Sequence, residues 1–265
     1  MNNIVKRNLD NLIKNSNPDG KTNCRINSLV KYLRKWSIKS VTLGVSGGID
    51  SAFVLELLLE AKKSYSFQIN TVFFIHELHS HEADKHIVDS FIKDKDVNHH
   101  IFNLNTLITA TQGVDETDNI VNTQYAYALM YTILFRFAQK YHGITIGTTN
   151  RDEFGIGWFG KTSDMVVDVQ PIHDFYKFEI YQSYLTKNIP NSIKNLSPNG
   201  NILSGKTDED VFGCSYNEVS SIVDLMEKNI LTREVLDDYT LLNDVIQSNK
   251  HKLIKPKKEF NPIFL

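Results

Sequence analysis

The chain has 265 residues, 41% of them hydrophobic and 23% charged, which suits an ordinary globule long enough to bury a substantial core. A formal net charge of −2 gives no field that would gather nucleic acid. The two lone cysteines, Cys24 and Cys214, exclude a disulfide framework and a cysteine zinc site, and no apolar run suggests a signal peptide or a membrane span, so a reduced, cytoplasmic setting without a membrane partner is expected.

In chain order, residues 1–17 and 24–37 read as helices separated by the turn chemistry of NSNPDGKTN. SVTLGV (40–45) reads as a buried strand and SAFVLELLLEAKK (51–63) as an apolar helix. A strand at 70–77, an amphipathic helix at 82–94 and a strand at 99–104 follow. The helix over 122–141 is apolar nearly all round and is expected to be fully buried. A fourth strand is predicted over 143–149 and a helix over 177–188. Pro, Asn and Gly then thicken into an expected mobile loop near 189–213, and helices close the chain. Alternating strands and helices predict a single α/β domain over 1–265: a doubly wound, mostly parallel sheet flanked by helices.

GVSGGIDSA (44–52) sits between the first strand and its helix. A Ser-Gly-Gly turn there aims unpaired N–H groups and a positive helix end at an anion. Gly47 and Gly48 keep Cβ atoms out of the way, and Ser46 and Ser51 add hydroxyls. Asp50 beside an anion is repulsive unless a cation lies between them, and Mg²⁺ is the usual cation beside phosphates. The plain alternative is a glycine turn with Ser51 as a helix cap.

SGGxDS resembles the pyrophosphate loop of the N-type ATP pyrophosphatases. GTTNRDEFGIGWFGKTSDMVVDVQPIHDFYK (147–177), GKTDEDVFGCSYNEV (205–219) and KHK…P (250–256) resemble, in order, the signature block, substrate loop and C-terminal basic anchor of the ammonia-dependent NAD synthetases. The resemblance implies an ATP-dependent amide ligase. A carboxylate, deamido-NAD⁺ in that family, attacks the α-phosphate of ATP, pyrophosphate leaves, and ammonia displaces AMP.

It also implies roles for residues. Ser46, Gly47, Gly48 and Ser51 hold pyrophosphate, Asp50 and Glu153 hold Mg²⁺, and Thr148, Thr207 and Lys177 meet the nucleotide. Lys161 meets phosphate, and with Asp50 and Lys177 it makes up the expected catalytic set. Asn150, Lys161, Asp164, Asp168, Asp208, His251 and Lys252 fall on the acceptor side. Taken singly, each lysine could be a solvated charge, Glu153 a helix-start acid, and Asp164 and Asp168 turn caps.

The resemblance breaks on the acceptor side. AYALM (126–130) puts Tyr127 and Leu129 where the family carries arginines, and SDMVVD puts Met165, Val166 and Val167 where it carries glycines and small residues. A paralogue amidating another acid, such as a sugar acid or a small metabolite, is therefore the runner-up, and a non-catalytic nucleotide-binding module the rival of another class. A tRNA thiolase would need reactive cysteines and a basic face, and the chain shows neither. No segment is left for a glutaminase, so ammonia is expected from solution or a separate donor. The resemblance further implies a homodimer through the 122–141 helix.

Two decoys remain. GNILSGKT (200–207) fits the Walker A pattern, but KNLSPN before it and DED after it lack the strand and helix a P-loop needs. His76, His79, His81 and His86 read as a polar loop running into a helix rather than a metal cluster.

Overall fold

A computed structural model describes residues 1–76, 82–111, 119–199, 206–252 and 263–264. Asn2 caps α1 (Asn3–Asn15) by accepting the Ile4 N–H, and Asn17 caps α2 (Pro18–Lys35) by accepting the Gly20 N–H at 3.0 Å. Helix α2 thus starts well before position 24. The residues that read as a turn are its cap and a first turn in which Pro18 has no N–H to lose.

There follow β1 (Ser40–Gly44), α3 (Ile49–Lys62), β2 (Gln68–Ile75), α4 (Glu82–Ile92), β3 (Asn98–Asn103), α5 (Asn105–Thr111) and α6 (Asn119–Lys140). Next come β4 (Ile144–Ile146), α7 (Arg151–Ile156), β5 (Val169–Gln170), α8 (Lys177–Gln182) and α9 (Asn191–Lys194). The chain closes with α10 (Asp208–Phe212), α11 (Tyr216–Glu227), α12 (Arg233–Asp237), α13 (Thr240–Asn249) and β6 (Ile263–Phe264).

The strands form one sheet in the order β3-β2-β1-β4-β5-β6, and every neighbouring pair is parallel. Val41 stands opposite both Ile69 and Ile144, which sets the register at the centre. Leu29 and Leu33 of α2, Phe53 and Leu57 of α3 and Val88 of α4 pack with Val41, Leu43 and Phe73 in one core. Ile133 and Leu134 of α6 pack with Val72 and Phe74 in another cluster. Helices thus clothe the sheet as the doubly wound pattern requires. A third cluster joins Val5 of α1, Ile156 of α7, Phe212 of α10, Val219 of α11 and Leu242 of α13.

Two elements differ from expectation. The helix from Lys177 ends at Gln182, and a 3₁₀ turn, Tyr184–Asn188, continues the chain past Ser183. Helix α6 is not buried all round within one chain. Phe135 is 51% and Tyr125 39% exposed, because a helix lying on a sheet covers only one of its own faces.

Of the loop near 189–213, Ile189 and Ile193 are buried and Asp208–Phe212 is helical, while residues 200–205 lie outside the described residues. No helix among the described residues is long and apolar enough to cross a membrane.

Candidate active site

The site forms where β1 and β4 end and α3, α7 and α8 begin. After β1, Gly47 adopts φ +88°, a left-handed conformation that glycine takes without strain. Ser51, buried in α3, folds the turn back on itself. Its Oγ accepts the Ser46 N–H at 3.2 Å and donates to the Gly48 carbonyl at 3.0 Å. The Gly48 N–H donates to Ser46 Oγ at 3.2 Å. Ser51 is thus the organiser of the loop, and Ser46 is the exposed hydroxyl at its mouth. The first N–H groups of α3 follow this turn directly, at the helix end where Gly48 makes no side-chain cap.

Opposite stands an acid–lysine–acid group. Lys177 is buried at the start of α8, and its Nζ lies 2.5 Å from Asp50 Oδ2 and 3.9 Å from Glu153 Oε1. Asn150 caps α7 by accepting the Glu153 N–H at 3.0 Å, while its own N–H donates to Glu153 Oε2. The same side chain donates to Asp50 Oδ1 at 3.2 Å. One capping box thus fixes both acids. Burial, with the Asp50 carboxylate beside it, pushes the Glu153 carboxyl well above its usual range. Burial pulls the Lys177 ammonium down, but Asp50 and Glu153 outweigh it and the net value is raised. The Tyr216 ring closes the other side of Lys177, 4.7 Å from Nζ.

Two acids expected on the acceptor side have hydrogen-bond partners of their own. Asp164 accepts the Tyr131 hydroxyl at 2.7 Å and the Gly160 N–H at 2.8 Å. Asp208 is buried and accepts from Tyr216 Oη at 2.9 Å and Trp158 Nε1 at 3.3 Å. The C-terminal anchor docks on the stretch after α7. Lys252 donates to the carbonyls of Phe159 and Gly157, and Lys161 donates to the carbonyl of His251 at 3.0 Å.

Asp168 is engaged within the sheet instead. Its Oδ2 holds the N–H and hydroxyl of Thr145 inside β4. Thr148 is half-buried just past β4, and Thr207 caps α10 by accepting the Asp210 N–H at 3.2 Å. Lys206 and Thr207 lead into α10 rather than follow a strand, and residues 195–199 contain none. His79 and His81 lie outside the described residues. Among those described, no group of three or more candidate metal ligands occurs.

Three residues escaped the sequence reading. Asp152 is wholly buried, its Oδ2 accepting the Lys177 N–H at 2.7 Å and the Ser220 hydroxyl at 2.9 Å. Burial pushes its carboxyl up to about 7 against those hydrogen bonds. Gln170 lies across the end of β4, accepting the Thr149 N–H and donating to the Asp164 carbonyl at 2.7 Å. Tyr216 was read only as part of a loop. An unpaired acid next to Glu153 was the one visible signal for Asp152.

A parallel sheet with a Ser-Gly-Gly turn after β1 and carboxylates converging at the strand ends is the N-type ATP pyrophosphatase fold. The family model described as NAD synthase matches residues 22–258, and the chain belongs to that family of ATP-dependent carbon–nitrogen ligases. The NH(3)-dependent NAD(+) synthetase of Picrophilus torridus is 30% identical over 231 residues, covering 85% of this chain and 90% of its own. That of Mycoplasma genitalium is 28% identical over 232 residues, covering 86% and 85%. Among solved structures, NMN synthetase from Francisella tularensis matches with a TM-score of 0.76 at 22% identity, over 92% of this chain and 100% of that one. NH3-dependent NAD synthetase from Campylobacter jejuni matches with a TM-score of 0.70 at 20% identity, over 91% and 98%.

Proposed function

We propose that the protein amidates deamido-NAD⁺ to NAD⁺. The carboxylate attacks the α-phosphorus of ATP, the bond to the β-phosphate oxygen breaks, and pyrophosphate leaves. Ammonia then adds to the acyl-adenylate carbonyl, loses a proton, and expels AMP. The observation that carries this reading is the convergence of the Ser46–Ser51 loop with Asp50, Lys177 and Glu153.

In this reading the backbone of Gly47 and Gly48 and the Ser46 hydroxyl receive the outer phosphates. Ser51 shapes the turn, and Lys177 offsets charge that builds on the leaving pyrophosphate. Thr148 and Thr207 flank the nucleotide. Asp164, Asp208, Lys161, His251 and Lys252 face the acceptor. Asn150 and Asp168 act through the residues they hold, Asp50 and Thr145.

Two carboxylates drawn to one ammonium, with Glu153 pushed toward its neutral form by burial and then by Asp50, suit a further cation, and one or two carboxylates plus phosphate oxygens are the usual magnesium donors. Asp50 and Glu153 would hold Mg²⁺, which when bound neutralises phosphate charge.

Helix α8 contributes Ile180 to the sheet core and Phe178 to the helical cluster, which favours one working unit over residues 1–265. The exposed Tyr125 and Phe135 of α6 favour a homodimer through that face. Ammonia would come from solution or a separate donor, and the cytoplasm is the setting that suits such a ligase.

The test combines the chain with ATP, Mg²⁺, ammonium and deamido-NAD⁺ and assays NAD⁺ and pyrophosphate. Absence of both products rejects the reading. One observation favours a shorter acceptor. Tyr127 and Leu129 stand on α6 where the phosphate-binding arginines of the resembled family are expected, and Tyr131 is engaged with Asp164. Nicotinate mononucleotide belongs in the same assay, and its preferred turnover would move the acceptor to a mononucleotide.

A further inference from the structure

The site described so far does not use Asp152, yet this acid touches it. Asp152 lies on α7 between Asn150, which holds Asp50, and Glu153, which faces Lys177. Its side chain turns the opposite way, into the protein, where it is wholly buried. There Oδ2 accepts the Lys177 N–H at 2.7 Å and the Ser220 hydroxyl at 2.9 Å, and so links α7, α8 and α11. The other oxygen, Oδ1, has no hydrogen-bond partner among the described residues.

Burying a polar side chain with one oxygen unsatisfied is costly, and general packing would be served as well by an apolar one. What the carboxylate accomplishes here is specific. Lys177 is the first residue of α8, so its N–H has no acceptor within that helix, and Asp152 supplies one from a segment 25 residues earlier. The backbone of Lys177 is thereby pinned to the same turn of α7 that pins the acids its ammonium meets.

Resting on the ligase reading above, we propose that Asp152 is a positioning residue for Lys177: by holding the Lys177 N–H it fixes where the ammonium stands between Asp50 and Glu153, and hence how the site grips the phosphates of ATP. Asp152 touches neither nucleotide nor acceptor. It acts through the lysine, in the way that a supporting shell holds a reacting group to within a fraction of an ångström. A displacement of about 1 Å in such a group is enough to cost a site up to ~100-fold.

The test is a double-mutant cycle on Mg²⁺–ATP affinity, measured calorimetrically on the full chain without acceptor. Asp152→Ser, whose hydroxyl is too short to reach the Lys177 N–H, is expected to weaken binding about tenfold, and Lys177→Ala to weaken it further. The Asp152→Ser loss is expected to vanish in the Lys177→Ala background. Asp152→Asn, which keeps an acceptor, is expected to stay within about threefold of the wild type.

Losses that multiply in the double variant overturn the proposal, as does unchanged affinity in a folded Asp152→Ser chain. A tenfold loss in Asp152→Asn, which remains measurable if Asp152→Ser does not fold, would place the effect in the charge and also overturn it. A wild-type chain that binds no Mg²⁺–ATP would sink the ligase reading itself. A wild type that binds it, with Lys177→Ala impaired and Asp152→Ser normal, would sink this inference alone.

Discussion

Lys177 Nζ lies 2.5 Å from Asp50 Oδ2, although 127 positions separate the two residues in the chain. One sits at the start of α8, the other in the first turn of α3, and neither segment alone would suggest an ion pair. The pair leaves Asp50 partly neutralised before any ligand arrives. Replacing Asp50 with Asn should therefore leave the fold intact while lowering pyrophosphate release about a hundredfold or more. Near-normal release from a folded Asp50→Asn chain would remove Asp50 from the machinery.

The converse substitution should behave differently. Lys177→Met leaves Asp50 and Glu153 facing each other without their cation, a loss of about 3 kcal/mol for a buried lysine. Added Mg²⁺ should recover part of that stability, and Ca²⁺ less. Urea midpoints with and without the ions check this. An unaffected midpoint would mean that the acids do not repel.

Gly47→Ala should cost about 1 kcal/mol in stability, because alanine is strained at φ +88°. Space is not the reason, since an added Cβ would meet Val88 only at 3.4 Å. ATP affinity should fall with it as the turn opens. Thermal melts and titration calorimetry on the same preparation would separate the two effects.

Burial, with Glu218 and Glu209 nearby, pushes the Cys214 thiol up to about 12, whereas Cys24 is exposed. At pH 8 a chromogenic disulfide reagent should therefore label Cys24 readily and Cys214 about a thousandfold more slowly than an ordinary thiol. Rapid labelling of both would contradict the burial of the α10–α11 corner.

Burial pushes the Glu218 carboxyl up, but hydrogen bonds from the Ser215 N–H and hydroxyl and from Tyr239 outweigh it, and the net value lies below the ordinary 4.5. The unfolded chain binds that proton more tightly than the folded one. The stabilisation is thus present above about pH 4.5 and is lost as pH falls through the folded value. Glu218→Gln should be less stable than the wild type at pH 6, and the gap should close toward pH 3. A gap that stays constant with pH would place the effect elsewhere.

Much of this site was legible because its chemistry is local. Ser46, Gly47, Gly48 and Ser51 lie in one turn, and Asn150 with Glu153 forms a capping box whose spacing is visible in the chain. Asp152 was not legible, since its partners are a backbone N–H on α8 and a hydroxyl on α11. Tyr216 and Gln170 were missed for the same reason: their roles come from long-range packing. The start of α2 was misread because Asn17 and Pro18 serve equally as turn and as cap, and only packing decides between them. Strand β5 is two residues long and leaves no periodicity to read.

Gly147 and Gln170 interlock at the end of β4, where a Cβ on Gly147 would stand 2.4 Å from Gln170 Oε1. A larger residue at 147 would push aside the end of the Gln170 side chain, and shifting or shortening it releases the Thr149 N–H and the Asp164 carbonyl together. The two positions should covary as a pair across descendants of this chain, with single departures purged and matched exchanges tolerated.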